Sequence, residues 1–399
     1  MSSVFALPPL LFVTFHEMYG ISYTLLGTLL LVNFCTQLII DLIFTFFSDK
    51  FNIALTVRVM PLITTAGMLI YALVPWLRPD SAITGLIVGT VVFSVSAGLS
   101  EVLLSPLIAA VPSEHPDRDM SLLHSIYGWG VFFVVAVSSL YFKIFGRENW
   151  MYLTLFFAAL NIVTSLLFFS SEIPDVNTGE GAKGNKKKGR GVVIAFCAVI
   201  IFLGSGAENI MTGWISSFME NALMIPKATG DILGMAVFAL MLALTRSLYA
   251  KKGKNILAVL TAGMAGAVVC YLAAGGIQNR YAAFAACIIT GIATSMLWPG
   301  TLILMEENAP GAGVAAYALM AACGDFGASV GPQVTGVIVD KISQTAYAAE
   351  RAALTGVTTE SVGLKTAMLF AAVLPLLGLF VCLVFKKTAG KRSAKSPLS

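Results

Sequence analysis

Three carboxylates, Glu101, Glu208 and Asp325, stand inside long apolar runs. In SAGLSEVLLSPLIAAV (96–111) Glu101 is the sole charge, and no Lys, Arg or Asp lies between Ser81 and Val111. An ionised carboxylate at the centre of a bilayer costs about 2.5–3.5 kcal/mol, so such acids face a cavity or a partner and mark proton or solute paths. Glu101 precedes Val111 by about 15 Å of helix, which is near the midplane of a span. Ser94, Gly98, Glu101 and Ser105 follow spacings of four, three and four, one small and polar helix face, with Val102 expected toward lipid. These features mark Glu101 as a candidate for proton or substrate coupling, the other reading being a hydrogen-bonded structural carboxyl, with Glu208 and Asp325 as further candidate proton-coupling acids.

Polar and aromatic residues around these acids form the rest of the expected site. In GSGAENIMTGW, Glu208 shares a face with Met211 and Thr212, Asn209 is its neighbour, and Trp214 is either an aromatic platform for a solute ring or an interfacial belt residue. Asn33, Gln37 and Asp41 recur every four residues, either lining a cavity or meeting another part of the protein; Asp41 lies deep enough toward the inner side to serve a gate. His124 and Tyr127 share a face; packing suits His124 and solute contact suits Tyr127. The nonapeptides GLSEVLLSP (98–106) and GIATSMLWP (291–299) share Gly, Leu and Pro at an offset of 193, which places Thr294 and Trp298 where the first copy has Glu101 and Ser105.

Other chemistries lack their residues. No His-Glu-x-x-His, phosphate loop or dinucleotide fingerprint is present. GASVG (327–331) matches the Gly-x-Ser-x-Gly pattern in letters only, because that motif needs a strand-to-helix elbow and this run lies in an apolar helical stretch. Gly327 and Gly331 read as a small-residue packing face. The six cysteines show neither metal-ligand nor disulfide spacing. The expectation is no enzyme, no cofactor, no metal and no nucleic-acid partner.

The elements that must carry these residues are membrane helices. Charged residues make up 12% of the chain, about half the share of a soluble protein, and 57% are hydrophobic. The apolar residues come in blocks that match the ~20 residues of a transmembrane helix. Eleven blocks qualify: Ile21–Ile40, Val59–Leu77, Ser81–Ser100, Met120–Phe142, Asn149–Ser171, Gly191–Met219, Asp231–Thr245 (starting near Ala228), Asn255–Asn279, Tyr281–Met305, Asn308–Val339 and Thr366–Phe385. Val4–Phe15 is half a span, so the first helix reads as truncated. Aligning FHE (15–17) with FME (218–220) predicts roughly 10–20 further residues upstream in the native protein, by the span-length rule.

Threading the spans with the basic tail KKTAGKRSAK inside puts most Lys and Arg on the inner side, Arg246 among them, as cytoplasmic loops require. The Gly-rich, basic stretch around 174–191 reads as a flexible inner linker. Domains are expected at 1–171 (first bundle), 172–190 (linker), 191–388 (second bundle) and 389–399 (tail).

The chain as a whole resembles the major facilitator superfamily. FFSDKFN (46–52) is similar to that superfamily's cytoplasmic Gly-x-x-x-Asp-Arg/Lys signature: Asp49 and Lys50 fit, while Thr45 replaces the glycine and the trailing basic pair is missing. The Glu101-to-Pro106 spacing, SMLWPG (295–300) and GASVGPQVTGVIVD (327–340) most resemble the fucose permease group of sugar–proton symporters. The resemblance implies an all-α membrane protein with two six-helix bundles around a central cavity, here eleven full spans plus the truncated first helix. It implies that Glu101 titrates during transport, and Asp49 and Lys50 of the signature are expected, with Asp41, to serve gating. The group's second acid, on helix one, is replaced by ALPPLLF (6–12), so a two-carboxylate mechanism does not transfer directly, and Glu208 is the substitute.

The resulting expectation is a secondary active transporter, moving a small neutral solute of sugar type by proton symport with alternating access. Its solute contacts are Asn33, Gln37, Tyr127, Asn209, Trp214, Thr294 and Trp298. The alternative is a proton-exchanging exporter of small organic compounds, using Glu101 and Asp325. Either would be a multi-pass monomer of the plasma membrane with both termini cytoplasmic, whose partners are solute, protons and lipid.

Overall fold

The computed structural model describes residues 1–21, 23–176, 190–225, 234 and 236–393. Helices account for all regular structure among them. In chain order they are α1 (Ser2–Tyr19), α2 (Tyr23–Phe47), α3 (Ile53–Leu77), α4 (Ala82–Ala110), α5 (Pro116–Phe145), α6 (Trp150–Ser170), α7 (Arg190–Ser217), α8 (Val237–Lys252), α9 (Ile256–Gly276), α10 (Arg280–Thr294), α11 (Leu297–Asn308), α12 (Val314–Ser343), α13 (Ala346–Thr355), α14 (Thr359–Ala371) and α15 (Val373–Ser393). Of the described segments, 10 are long and apolar enough to cross a membrane; α10 with α11, and α14 with most of α15, each form one of them.

Local chemistry sets several boundaries. Asn52, Asn255 and Asn279 cap α3, α9 and α10, each accepting a backbone N–H from the first turn. The span expected from Asn308 begins instead at Val314: α11 ends at Asn308, and Gly311 and Gly313 take positive φ (65° and 78°) in the turn between the two helices. The helix α13 falls in what the sequence reads as an outer loop; Thr345 caps it and Ala348 and Ala352 bury its one apolar edge. The linker expected at 172–190 lies, from residue 177 to 189, outside the described residues, as do 394–399 of the tail and 226–233 and 235 around the start of the expected span Asp231–Thr245.

Contacts group the chain into two units. One comprises Met1–Pro116, Ile126–Lys186 and Gly311–Ala322; the other comprises Asp117–Ser125, Lys187–Pro310 and Cys323–Ser399. Helices α5 and α12 therefore each contribute to both.

Within the first unit, α3 and α4 meet through glycine. A Cβ on Gly67 would lie 2.5 Å from the Phe93 nitrogen, and one on Gly89 would lie 2.7 Å from the Tyr71 nitrogen, so only glycine lets the two backbones approach. Trp150, Phe15 and Tyr71 form an aromatic core there, with Phe15 edge-on to Trp150 at 4.8 Å. Within the second unit, α7 and α12 pack by the same device: a Cβ on Gly331 would stand 2.9 Å from the Gly206 carbonyl oxygen, and one on Gly327 would run into the Phe202 carbonyl.

Candidate functional site: a polar helix pair and a buried ion pair

In the first unit, Asn33, Gln37 and Asp41 form the expected stripe along α2, and all three are buried. The Gln37 amide donates to Asn33 Oδ1 at 3.2 Å, and Ser94 Oγ from α4 donates to the same oxygen at 2.5 Å. Gly98 sits one turn further along α4 and gives the room: a Cβ there would approach Gln37 Cα at 3.2 Å. The stripe thus joins α2 to α4. Because α4 runs unbroken from Ala82 to Ala110, Ser94, Gly98, Glu101 and Ser105 share one face; Glu101 is half-buried and its two serine neighbours are buried. Val102, expected toward lipid, is fully buried against Leu99, Leu103 and Val57, since its side of α4 faces the other helices of the unit.

Tyr127 is half-buried, edge-on to Phe5 at 6.1 Å, and its carbonyl accepts from Ser2 Oγ. Asp49 and Lys50 occupy an exposed turn after α2, with the Lys50 ammonium 4.9 Å from the Phe47 ring centroid.

In the second unit the central feature is a residue the sequence reading put elsewhere. Arg246, counted there among the cytoplasmic loop charges, lies inside α8 with only 4% of its surface exposed. Its guanidinium reaches Glu208 on α7 at 3.3 Å, the one ion pair among the described residues. Nη1 donates to the His124 carbonyl at 3.3 Å and Nε donates to the Ser295 carbonyl at 2.7 Å. The last contact follows from the sequence. Pro299, four residues after Ser295, has no N–H to give that carbonyl, and the chain turns at Ser295 and Met296 between α10 and α11. The freed oxygen meets the arginine. A signal was present in RSLYAKK: four residues, one of them Leu and one Tyr, separate Arg246 from Lys251, so the apolar face runs on past the arginine.

Around the pair, Ser205, Glu208, Asn209 and Thr212 follow helical spacing along α7. Asn209 Nδ2 donates to the Ser205 carbonyl at 3.0 Å, and Thr212 Oγ1 donates to the Glu208 carbonyl at 3.0 Å. Exposure rises along the row, from buried Ser205 through half-buried Glu208 and Asn209 to exposed Thr212.

The other expected residues of this unit have specific places. Trp298 is half-buried and its six-membered ring lies on Gly324, where no Cβ would fit. Asp325, the next residue of α12, is buried. Thr294 is fully buried and its hydroxyl donates to the Thr290 carbonyl of its own helix. Trp214 donates its indole N–H to the Pro332 carbonyl at 3.0 Å and covers Gly336, which ties α7 to α12.

Comparison with known proteins agrees with this architecture. No curated protein matches the chain in sequence. Among solved structures, a variant of the E. coli fucose:proton symporter FucP is similar with a TM-score of 0.71 and 12% identity, over 96% of each chain. FucP in the outward conformation gives the same score and identity, over 96% of this chain and 95% of that one. The proton:xylose symporter XylE, bound to 6-bromo-6-deoxy-D-glucose, is similar with a TM-score of 0.73 and 11% identity, over 96% of this chain and 92% of that one. At such identities the likeness is one of fold. The sequence profile of the Major Facilitator Superfamily matches residues 1–332, and with that match over most of the chain, this multi-pass membrane protein belongs to the major facilitator superfamily of transporters.

Proposed function

We propose that the protein is a proton-coupled symporter of a small neutral solute of the sugar class, working by alternating access. The observation that carries this reading is the half-buried carboxylate of Glu101 on the Ser94–Gly98–Glu101–Ser105 face of α4. An acid inside a membrane helix is a functional site by default. The symporters of fucose and xylose that share the fold support the solute class and the coupling ion. Glu208 and Asp325 are the second unit's coupling acids in this reading, and Asn33, Gln37, Tyr127, Asn209, Trp298, Thr294 and Trp214 its solute contacts. Asp41, Asp49 and Lys50 form the gate. The protein acts as a monomer in the plasma membrane with cytoplasmic termini, and does no bond chemistry.

Energetically the scheme is sufficient: one proton crossing 100 mV releases ~2.3 kcal/mol, which sustains a solute gradient of roughly 50-fold. The test is uptake of a panel of neutral sugars by proteoliposomes, with and without an inward proton gradient. Glu101→Gln is expected to abolish gradient-driven accumulation while leaving counterflow. Undiminished accumulation by correctly inserted Glu101→Gln protein refutes the coupling role, and proton-driven efflux in place of uptake would turn the reading toward an exporter.

A further inference from the structure

The first two turns of α5 are held by polar contacts. Asp117–Ser125 belongs to the second unit, although the rest of α5 belongs to the first. Ser121 Oγ donates to the Arg246 carbonyl at 2.8 Å, Ser125 Oγ donates to the Ala243 carbonyl at 3.1 Å, and the Ser125 and Ser247 hydroxyls are in hydrogen-bond contact. Arg246 Nη1 adds a charge-assisted bond to the His124 carbonyl. Of the segment's apolar side chains, Met120 is buried, Leu123 is half-buried and Leu122 is 47% exposed. The first turns of α12, which belong to the first unit, are held quite differently. There Val314, Ala318 and Ala321 enter an apolar cluster with Phe44, Val57 and Leu103. Apolar contacts do not depend on the charge of a neighbour. The bond from Arg246 Nη1 to the His124 carbonyl does.

Arg246 is the node. Its guanidinium is held by the Ser295 carbonyl on one side and by Glu208 on another, and in that position Nη1 meets the His124 carbonyl. Glu208 retains 17% exposure, so the carboxylate is the part of the node a solute or a proton can reach. Among the described residues, His124 from α5 and Tyr271 from α9, whose hydroxyl donates to the Ala207 carbonyl at 2.5 Å, are further titratable groups near the pair.

We propose that the Glu208–Arg246 pair is a latch that holds Asp117–Ser125 on α8, so that losing the negative charge at Glu208 frees this segment. Arg246 is a positioning residue in this scheme. It acts on α5 through the His124 carbonyl and through its own carbonyl, and Glu208 keeps it in place. The latch rests on the transport reading for its purpose, since alternating access needs helix segments that change partners, but its mechanics require no solute.

The test is alkylation of a cysteine at buried Met120, a position outside the hydrogen-bond network. Met120→Cys is introduced into full-length protein with the accessible Cys35 and Cys323 replaced, and fully buried Cys197 is retained as an internal control. N-ethylmaleimide labelling of both sites is followed by peptide mass spectrometry. Glu208→Gln should speed labelling at position 120 about 10-fold or more, with Cys197 unchanged. Glu208→Asp, which keeps the charge, should stay near the parent rate. Arg246→Lys, which keeps a charge but not the fork, should lie several-fold above the parent and carries the test if Glu208→Gln does not survive extraction. Equal rates in the parent and the charge-removing variant, or a parallel rise at Cys197, overturn the latch. The transport reading fails on different data: protein that takes up no sugar yet shows charge-dependent labelling keeps the latch, and protein that transports while labelling ignores Glu208 loses it.

Discussion

Arg246 has five N–H donors, as every arginine does, and in this protein they meet two backbone carbonyls and both oxygens of Glu208. Such saturation is what allows a guanidinium to stay where water and headgroups cannot reach it, because an unpaired buried charge is far more costly than a paired one. The pair's value is therefore visible mainly when one member is removed. Arg246→Met alone should destabilise the detergent-solubilised protein by about 3–5 kcal/mol, the usual cost of leaving one buried charge uncompensated. The double variant Glu208→Gln/Arg246→Met should recover a large part of that loss. Thermal or denaturant unfolding of the four proteins as a cycle measures the coupling, and additive losses would mean the pair is not coupled. Asn33 illustrates the same logic without charge: its one side-chain oxygen accepts from both Gln37 and Ser94 and so joins α2 to α4.

At the scale of elements, proline and glycine decide how close the helices come and where their backbone groups point. Pro106 and Pro299 occupy equivalent places in the two repeats, yet α4 continues through Pro106 while the chain turns between α10 and α11 ahead of Pro299. In the second repeat the carbonyl that proline strips of its donor is taken by Arg246. The glycines of α12 set the contact with α7. Gly327→Ala should destabilise by about 1–3 kcal/mol, the typical cost of overpacking, because its Cβ would run into the Phe202 backbone. Gly213→Ala on α7 should be tolerated, since the added carbon would sit 3.7 Å from Pro332 Cβ, an ordinary contact. Melting temperatures of the two variants, measured side by side, check the assignment; equal melting would remove the glycine contact as the determinant of this packing.

For the whole molecule, charge outside the helices has to set orientation. By the positive-inside rule we propose that the Lys and Arg between Pro174 and Gly191 and those of the tail face the cytoplasm. A carboxyl-terminal tag should accordingly be cleaved by external protease in inside-out vesicles and protected in right-side-out ones. The reverse pattern would invert the topology, and with it the direction assigned to every gate.

The membrane class, the all-helical fold and the superfamily were legible in the sequence because they depend on local quantities. Span length and charge-free blocks follow from bilayer thickness, and the Asp49–Lys50 turn and the 98–106/291–299 repeat are contiguous in the chain. Glu101, Glu208 and Asp325 were legible as notable acids for the same reason, a charge being conspicuous against apolar neighbours. Their partners were not. Arg246 follows its apolar block so closely that it reads as a loop charge, and only the packing of α8 against α5, α7 and the turn at Ser295–Met296 carries it inside. Likewise the Pro332 carbonyl that takes the Trp214 N–H, and the cluster with Val57, Leu99 and Leu103 in which Val102 is buried, are not readable from either residue's neighbours in sequence. Hydropathy is a sum over neighbours in sequence, whereas an ion pair between residues 38 apart, or a face turned inward, is settled by the register in which helices meet.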